Sequence, residues 1–487
     1  MKGKGQRAEG RGQTAEDGRR KSEDGVKGQR SKVKGKNRSK GKGLRVDMKI
    51  VHLGGGETVT GSCHLLQVHG LNVLVDCGLA QGNDFVEPMD RWPVRPGDID
   101  YLFLTHAHVD HIGRVPELIR RGFRGEIITT HPTKALLTPM LEDALGFQDM
   151  SRKEAAGLVE DVDSLSWGFE YGQEFDLGKH VTFMLGRAGH ILGSCWIQFA
   201  ISGEGVVVFS GDLGAVDTPV LCDPDIPEGC DLLILESTYG DRLHGDRRDR
   251  FRRLGKILDH ALKDDGKVFI PAFALGRTQE LIYEMDRWFG GREGERSKVK
   301  GERGRGGGRV PVFIDSPLGL EITKVYSRLA AYWDQEAGAL LRGGDHPIDF
   351  EGLYAVRNHA DHLRLCDMEG SAVVIAGSGM CSGGRIVNHL KGSIEDERND
   401  VLFVGYQVRG TPGRDIVKYS KRAGGYVMLE GERLMIRSKV HVLTGYSAHA
   451  DQKGLLEWVG GMPGKVGEVR LVHGGEKARR VLGGMLG

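Results

Sequence analysis

The run Thr105-His106-Ala107-His108-Val109-Asp110-His111 puts four strong metal ligands into six consecutive positions. Imidazoles two positions apart can converge on one cation in an extended turn. The carboxylate and the third imidazole are then free to face a second cation nearby. Neutral imidazole and carboxylate without thiolate suit Zn²⁺ or a harder divalent ion, and leave positions open for water. The chain has 18 His in 487 residues, so three of them beside an Asp in so short a stretch argue against a chance polar loop. Three further donors lie far away in sequence, each just past an apolar, β-branched run: His190 after residues 181–185, Asp212 after 206–210 and His473 after 469–472. In α/β sheets, ligand sites collect outside the C-terminal ends of strands. His190, Asp212 and His473 supply what the 106–111 cluster lacks for a two-metal centre: a fourth corner for each ion and a carboxylate to bridge them. His359 and His362, in His359-Ala360-Asp361-His362, look ligand-like but follow no buried strand, and read as ordinary loop or helix residues.

Elements must carry these donors to one place. Tyr101-Leu102-Phe103-Leu104 reads as a short buried strand that ends at the histidine turn. Residues 48–240 alternate such runs with helical stretches at 132–147 and 151–165, which implies a layered αββα sandwich. Residues 241–440 read as a second α/β region set inside it. There, 267–271, 310–315, 372–376 and 401–405 are expected to be buried parallel strands, with helices at 279–289 and 320–336. Residues 441–487 return to the first domain, carrying His449 and His473. An insertion flanked by two parts of one centre puts the reactive groups in a cleft between domains. Such a cleft accepts a strand rather than a small molecule.

The net charge of +1 hides a segregation. Residues 1–45 hold sixteen Lys/Arg against five Asp/Glu, a net of +11, so the remaining residues carry −10. This tail is rich in Gly, Lys, Arg, Ser and Gln and is expected to be disordered. A similar stretch at 290–309 interrupts the second region and repeats the word Ser-Lys-Val-Lys-Gly of Ser31–Gly35 at Ser297–Gly301. Two readings stand: polycation arms that attract nucleic-acid phosphates, or solvated low-complexity sequence, including an extension from a misplaced start codon. The seven Cys (63, 77, 195, 222, 230, 366 and 381) are scattered and never spaced as CxxC. That argues for reduced thiols in the cytoplasm and against a thiolate zinc site. Neither a signal-peptide core nor an apolar run long enough to span a membrane is present, so secretion and membrane insertion are not expected.

The motifs, taken together, resemble the metallo-β-lactamase fold and, more narrowly, its β-CASP nuclease branch. That branch contains the pre-mRNA 3′-end cleavage endonuclease and its bacterial and archaeal relatives. Asp76, in Val73-Leu74-Val75-Asp76-Cys77-Gly78, matches the first motif and the 106–111 run the second, with His190 and Asp212 the third and fourth. Glu236 in Leu235-Glu236-Ser237-Thr238-Tyr239-Gly240, His449 in Gly445-Tyr446-Ser447-Ala448-His449-Ala450-Asp451 and His473 in Val472-His473-Gly474 match the branch-specific motifs. Further matches are 273–280, 315–319 and the loop Gly377-Ser378-Gly379-Met380-Cys381-Ser382-Gly383-Gly384-Arg385. The resemblance covers residue 48 to the C-terminus and implies an αββα metallo-β-lactamase sandwich with an inserted α/β β-CASP domain.

It also implies two Zn²⁺: His106, His108 and His190 would hold one, Asp110, His111 and His473 the other, with Asp212 bridging. Asp110 would also steer the attacking hydroxide, and Asp76 would orient a ligand histidine from behind. His449 becomes the candidate general acid, with Glu236 polarising it. The Gly-rich loop would hold a substrate phosphate through Ser378, Gly379, Gly383 and Arg385, with Arg277 and Arg414 as further clamps. The implied substrate is single-stranded RNA, cut endonucleolytically in processing or decay. A 5′–3′ exoribonuclease and a DNA nuclease of the same branch are the alternatives. His473 favours RNA, because DNA-directed members have an aliphatic residue there, and the Gly-Met-Cys loop favours endonucleolysis. A dead scaffold subunit would have lost ligands, and all seven are here. A small-molecule hydrolase would lack the insertion. The resemblance leaves room for a homodimer.

Overall fold

The computed structural model describes residues 48–245, 247, 249–261, 263–296 and 310–487. The basic tail at 1–45 and most of the stretch at 290–309 lie outside the described residues. Two six-stranded sheets face each other. The first runs Lys49–Gly54, Cys63–Val68, Leu71–Val75, Tyr101–Phe103, Glu126–Thr130, Ser166–Phe169, antiparallel over its first three strands and parallel afterwards. The second runs Val466–Val472, Cys230–Glu236, Gly205–Phe209, Cys195–Ile201, Val181–Arg187, Glu174–Gly178, and its first three strands are mutually parallel. The C-terminal strand therefore sits beside a segment more than two hundred residues earlier, and the register pairs Val472 with Glu236.

Neighbouring residues of one strand serve different cores. Leu66 and Val68 join Val75, Phe103, Phe183, Phe199 and Phe209 between the sheets, while Leu65, Leu74 and Leu102 pack outward with Leu136, Leu141 and Val159 of helices His131–Gly146 and Arg152–Leu165. Strands covered on both faces read as continuous apolar runs rather than alternating ones. Ser151 starts the second of these helices by accepting from Glu154 N, the first half of a Ser-x-x-Glu capping pattern. Behind the second sheet, Trp196, Val208 and Leu233 pack with Leu455, Trp458 and Leu482 of helices Gln452–Gly460 and Glu476–Leu486. The result is the expected αββα layering.

The inserted unit is a third, all-parallel sheet ordered Leu353–Ala355, Val312–Asp315, Ala372–Ala376, Lys267–Pro271, Asp400–Phe403, Lys439–Val442. Helices Arg250–Ala261, Arg277–Arg296 and Pro317–Arg328 cover one face. His359–Asp367, Arg385–Ser393 and Pro412–Tyr419 cover the other. The expected helix at 320–336 is broken. Pro317–Arg328 ends at Leu329 (φ −104°, ψ 27°), a 3₁₀ turn spans Ala330–Tyr332, and Asp334 caps a new helix, Gln335–Arg342, by accepting from Ala337 N. Burial of Trp333 turns the chain inward at this point. Among the described residues no helix is long and apolar enough to cross a membrane.

Candidate metal centre

The strand Tyr101–Phe103 ends in a turn and then the one-turn helix Val109–Ile112, with His108 at its N-cap. Backbone bonds fix that turn from outside: Ser62 N donates to Asp110 O (2.9 Å), Cys77 N to His111 O (2.8 Å) and Leu79 N to Val109 O (3.1 Å). Only glycine permits this approach at position 78, because a Cβ there would stand 1.6 Å from Asp110 O. The remaining donors arrive from the second sheet. His190 follows Val181–Arg187, Asp212 follows Gly205–Phe209, and His473 follows Val466–Val472 with φ 51°. His473 N donates to Gly55 O (2.6 Å), which pins the C-terminal strand end to the first sheet.

Two sets of donor atoms converge. In the first, His108 Nδ1 lies 3.0 Å from His106 Nε2 and 3.1 Å from His190 Nε2, and Asp212 Oδ2 is 3.6 Å from both Nε2 atoms. In the second, His473 Nε2 lies 3.2 Å from His111 Nε2 and 3.6 Å from Asp110 Oδ2. Asp212 reaches this set too, with Oδ2 3.4 Å from His111 Nε2 and Oδ1 3.7 Å from His473 Nε2. A tetrahedral zinc with 2.0–2.1 Å bonds separates its ligand atoms by roughly 3.3 Å, so both sets have the spacing of an ion's coordination shell. Asp212 Oδ1 is buried without a hydrogen-bond partner, a costly state for a carboxylate oxygen unless a cation satisfies it.

Electrostatics agree. Burial pushes the His106 and His190 imidazoles well below their ordinary range and His108 to about 4, which leaves them neutral lone-pair donors. Asp76, Asp110, Asp212 and Glu236 crowd the same space, and among the described residues their ion-pair partners within 4 Å are all histidines. Burial opposes a charged His111, yet Asp212 and Asp76 raise its pKa well above the ordinary range, and Asp212 with Asp110 raises that of His473. The pocket demands positive charge, supplied by protons or by cations.

Behind the donors, Asp76 takes Thr105 N (2.8 Å) on Oδ1, and its Oδ2 lies 2.7 Å from His111 Nδ1. Two supporting hydroxyls did not stand out in the sequence, although both lie inside quoted motifs. Thr105 Oγ1 sits 3.1 Å from His106 Nδ1, and Thr238 Oγ1 sits 3.1 Å from His473 Nδ1. Glu236 Oε1 accepts from Leu213 N (2.7 Å) and lies 3.2 Å from His449 Nδ1, while Oε2 accepts from Thr238 N (3.2 Å). The His449 loop is zipped to the Asp212 loop by Ala450 N donating to Leu213 O (2.7 Å). Burial alone would lower the His449 pKa, but Glu236 and then Asp212 overcome it and push it up to about 9.

A cleft of about 610 Å³ opens from His108, Asp110, His190 and His449 towards Phe273, Tyr406 and Arg414 of the inserted unit. The residues expected to clamp phosphate are placed unevenly around it. Gly379 and Met380 line the cleft, as do Arg277 and Arg414, whereas Ser378, Gly383 and Arg385 do not. Arg385 is turned inward: its Nη1 donates to Asp315 Oδ1 (2.6 Å) and Val356 O (3.0 Å). Ser378 N donates to Gly383 O and Ser382 N to Ser378 Oγ, so part of the expected anion nest is spent inside the loop. Arg277 is already paired with Glu280 and lies over the Tyr446 ring. His362 is no ordinary helix residue, because it is fully buried with Nδ1 2.6 Å from Asp315 Oδ2, while His359 is exposed. Sequence patterning missed two exposed aromatics in the cleft, Phe273 and Tyr406.

Comparison with known proteins sets this geometry in context. Models of the metallo-beta-lactamase superfamily, the Beta-Casp domain and the Zn-dependent metallo-hydrolase RNA specificity domain match residues 56–272, 278–416 and 433–483. Ribonuclease TTHA0252 of Thermus thermophilus is 38% identical over 440 residues, covering 90% of this chain and 96% of that protein. Transcription termination factor FttA of Methanocaldococcus jannaschii is 29% identical over 443 residues, and that of Pyrococcus horikoshii 30% over 449; each match spans 88% of this chain but only 67% and 66% of those longer proteins. A crystal structure of a protein of unknown function from Enterococcus faecalis V583 shares the fold, with a TM-score of 0.53 at 11% identity over 89% of this chain and 96% of that one.

Proposed function

We propose, because the chain belongs to the metallo-β-lactamase superfamily and to its β-CASP branch, that it is a zinc-dependent ribonuclease cutting single-stranded RNA endonucleolytically in processing or decay. The observation that carries this reading is the pair of converging nitrogen and oxygen sets that share Asp212. On this reading His106, His108 and His190 would hold one Zn²⁺ and Asp110, His111 and His473 the other, with Asp212 available to both sets. Two such ions supply an activated water at neutral pH and neutralise charge on the phosphodiester. Asp110 orients the attacking oxygen, and Asp76 fixes the ring of His111. His449 delivers a proton to the departing sugar oxygen, and Glu236 keeps that imidazole charged and aimed. Phe273 and Tyr406 offer faces on which unpaired bases stack, and Arg414 offers a phosphate contact. Cytoplasmic location and a homodimer belong to the same reading.

The test uses single-stranded RNA labelled at either end and matched DNA, with and without chelator. Internal fragments of RNA alone, lost with chelator and in His108→Ala, are expected. Elemental analysis should find at least two zinc equivalents per chain, with fewer in His108→Ala. Cleavage that survives complete metal removal would overturn the reading, and release of single nucleotides from the 5′ end would replace endonuclease with exonuclease.

A further inference from the structure

A second cluster of ligand-type side chains lies in the inserted unit, on elements separate from the centre above. Asp315 closes the strand Val312–Asp315, His362 and Cys366 are one helical turn apart on His359–Asp367, and His389 is on Arg385–Ser393. Residues spaced i, i+4 share a helix face. Asp315 Oδ2 lies 2.6 Å from His362 Nδ1 and 2.6 Å from His389 Nε2, while Oδ1 takes Arg385 Nη1. A carboxylate paired with a guanidinium carries no proton, so both imidazoles must donate to it. That assignment leaves His362 Nε2 and His389 Nδ1 as lone pairs, the first also 3.2 Å from Asn388 Nδ2. Both face one sulfur, at 3.7 and 3.6 Å from Cys366 Sγ. A thiol has one hydrogen and can donate to only one of them, which leaves the exposed Asn388 amide as the second donor within reach.

We propose that Cys366, His362 and His389 bind a zinc ion, with Asp315 as the carboxylate that orients both imidazoles. Zinc bonds of about 2.3 Å to sulfur and 2.0–2.1 Å to nitrogen place sulfur and nitrogen roughly 3.6 Å apart in a tetrahedron, which is the separation found. A carboxylate on the far nitrogen is a usual support of zinc-bound imidazole, and Asp315 supplies it to both histidines. A thiolate selects zinc over magnesium, calcium or manganese. Binding releases the thiol proton to solvent. Cys366 is half-buried and Asn388, whose Nδ2 lies 3.2 Å from His362 Nε2, is exposed, so the ion has a route in and an amide oxygen within reach on rotation. Cysteine spacing hides this site because its ligands come from two helices and only one is a thiol.

The ion would tie three elements together, one of them the helix Arg385–Ser393 that follows the loop presenting Gly379 and Met380 to the cleft. Cobalt(II) is the probe, since the catalytic centre has only nitrogen and oxygen donors and gives no sulfur-to-cobalt charge-transfer band. Metal-free protein reconstituted with Co²⁺ should show that near-ultraviolet band. It should persist in His108→Ala and vanish in Cys366→Ala. Independently of any variant, zinc should slow alkylation of Cys366, mapped by peptide mass spectrometry, by about tenfold or more. No band in the wild-type protein, a band that survives Cys366→Ala, or alkylation indifferent to zinc would overturn the site and leave a thiol and amide network in its place.

Discussion

His449 stands 3.2 Å from Glu236 and 3.8 Å from Asp212, outside the two converging donor sets but within reach of the cleft. His449→Ala should therefore leave metal content nearly unchanged and lower cleavage by about 10²–10⁴-fold, the range for losing a general acid. Loss of metal on this substitution would make His449 a ligand instead. Glu236→Gln tests the partner. The raised pKa of His449 depends first on overcoming burial, and Glu236 contributes most to that. An acid must be protonated to act, so activity falls as pH rises through its pKa. Removing the carboxylate lowers that pKa, and the alkaline limb of the kcat profile should move to lower pH with zinc retained. An unmoved limb would mean that Glu236 does no more than accept from Leu213 and Thr238. The seven donors are legible in the sequence because four share one turn and the others follow β-branched runs. Arg385, Arg277 and His362 are not, since their directions are decided by Asp315 and Glu280, acidic partners that no local pattern announces.

Elements position what residues do. The run 372–376 is a strand to the residue, and 267–271 likewise, because parallel strands covered on both faces leave an unbroken apolar signature. The break at 329–334 leaves no such trace, for it depends on where Trp333 finds a core. The loop between Ala372–Ala376 and Arg385–Ser393 depends on Gly384, with φ 74° and only 2.6 Å from an added Cβ to Gly377 O. Gly384→Ala should destabilise the protein by about 1–3 kcal/mol, seen as a lower urea midpoint at constant slope. It should also raise the KM for RNA through Gly379 and Met380, because those residues meet the cleft. Unchanged stability would show that the loop relaxes freely and contributes little to the shape of the site.

At the scale of the whole chain, charge is unevenly divided along the sequence. The tail at 1–45 carries +11 and the remainder −10, so if the tail serves as a polycation arm it should attract a phosphate backbone that the acidic remainder repels. Phosphates neutralised by Lys and Arg release counterions, so the binding constant falls by about 0.7 logarithmic units per contact for each tenfold rise in salt on single strands. Deleting residues 1–44 should weaken RNA binding at low salt and flatten that dependence. Turnover at saturating RNA should stay nearly constant, because a uniform attraction to substrate and transition state does not change the chemical step. Binding isotherms over a salt series, with single-turnover rates on the same RNA, separate the two effects. Equal salt slopes for full-length and truncated protein would remove the tail from RNA capture, and a slower chemical step after truncation would place it at the catalytic centre instead.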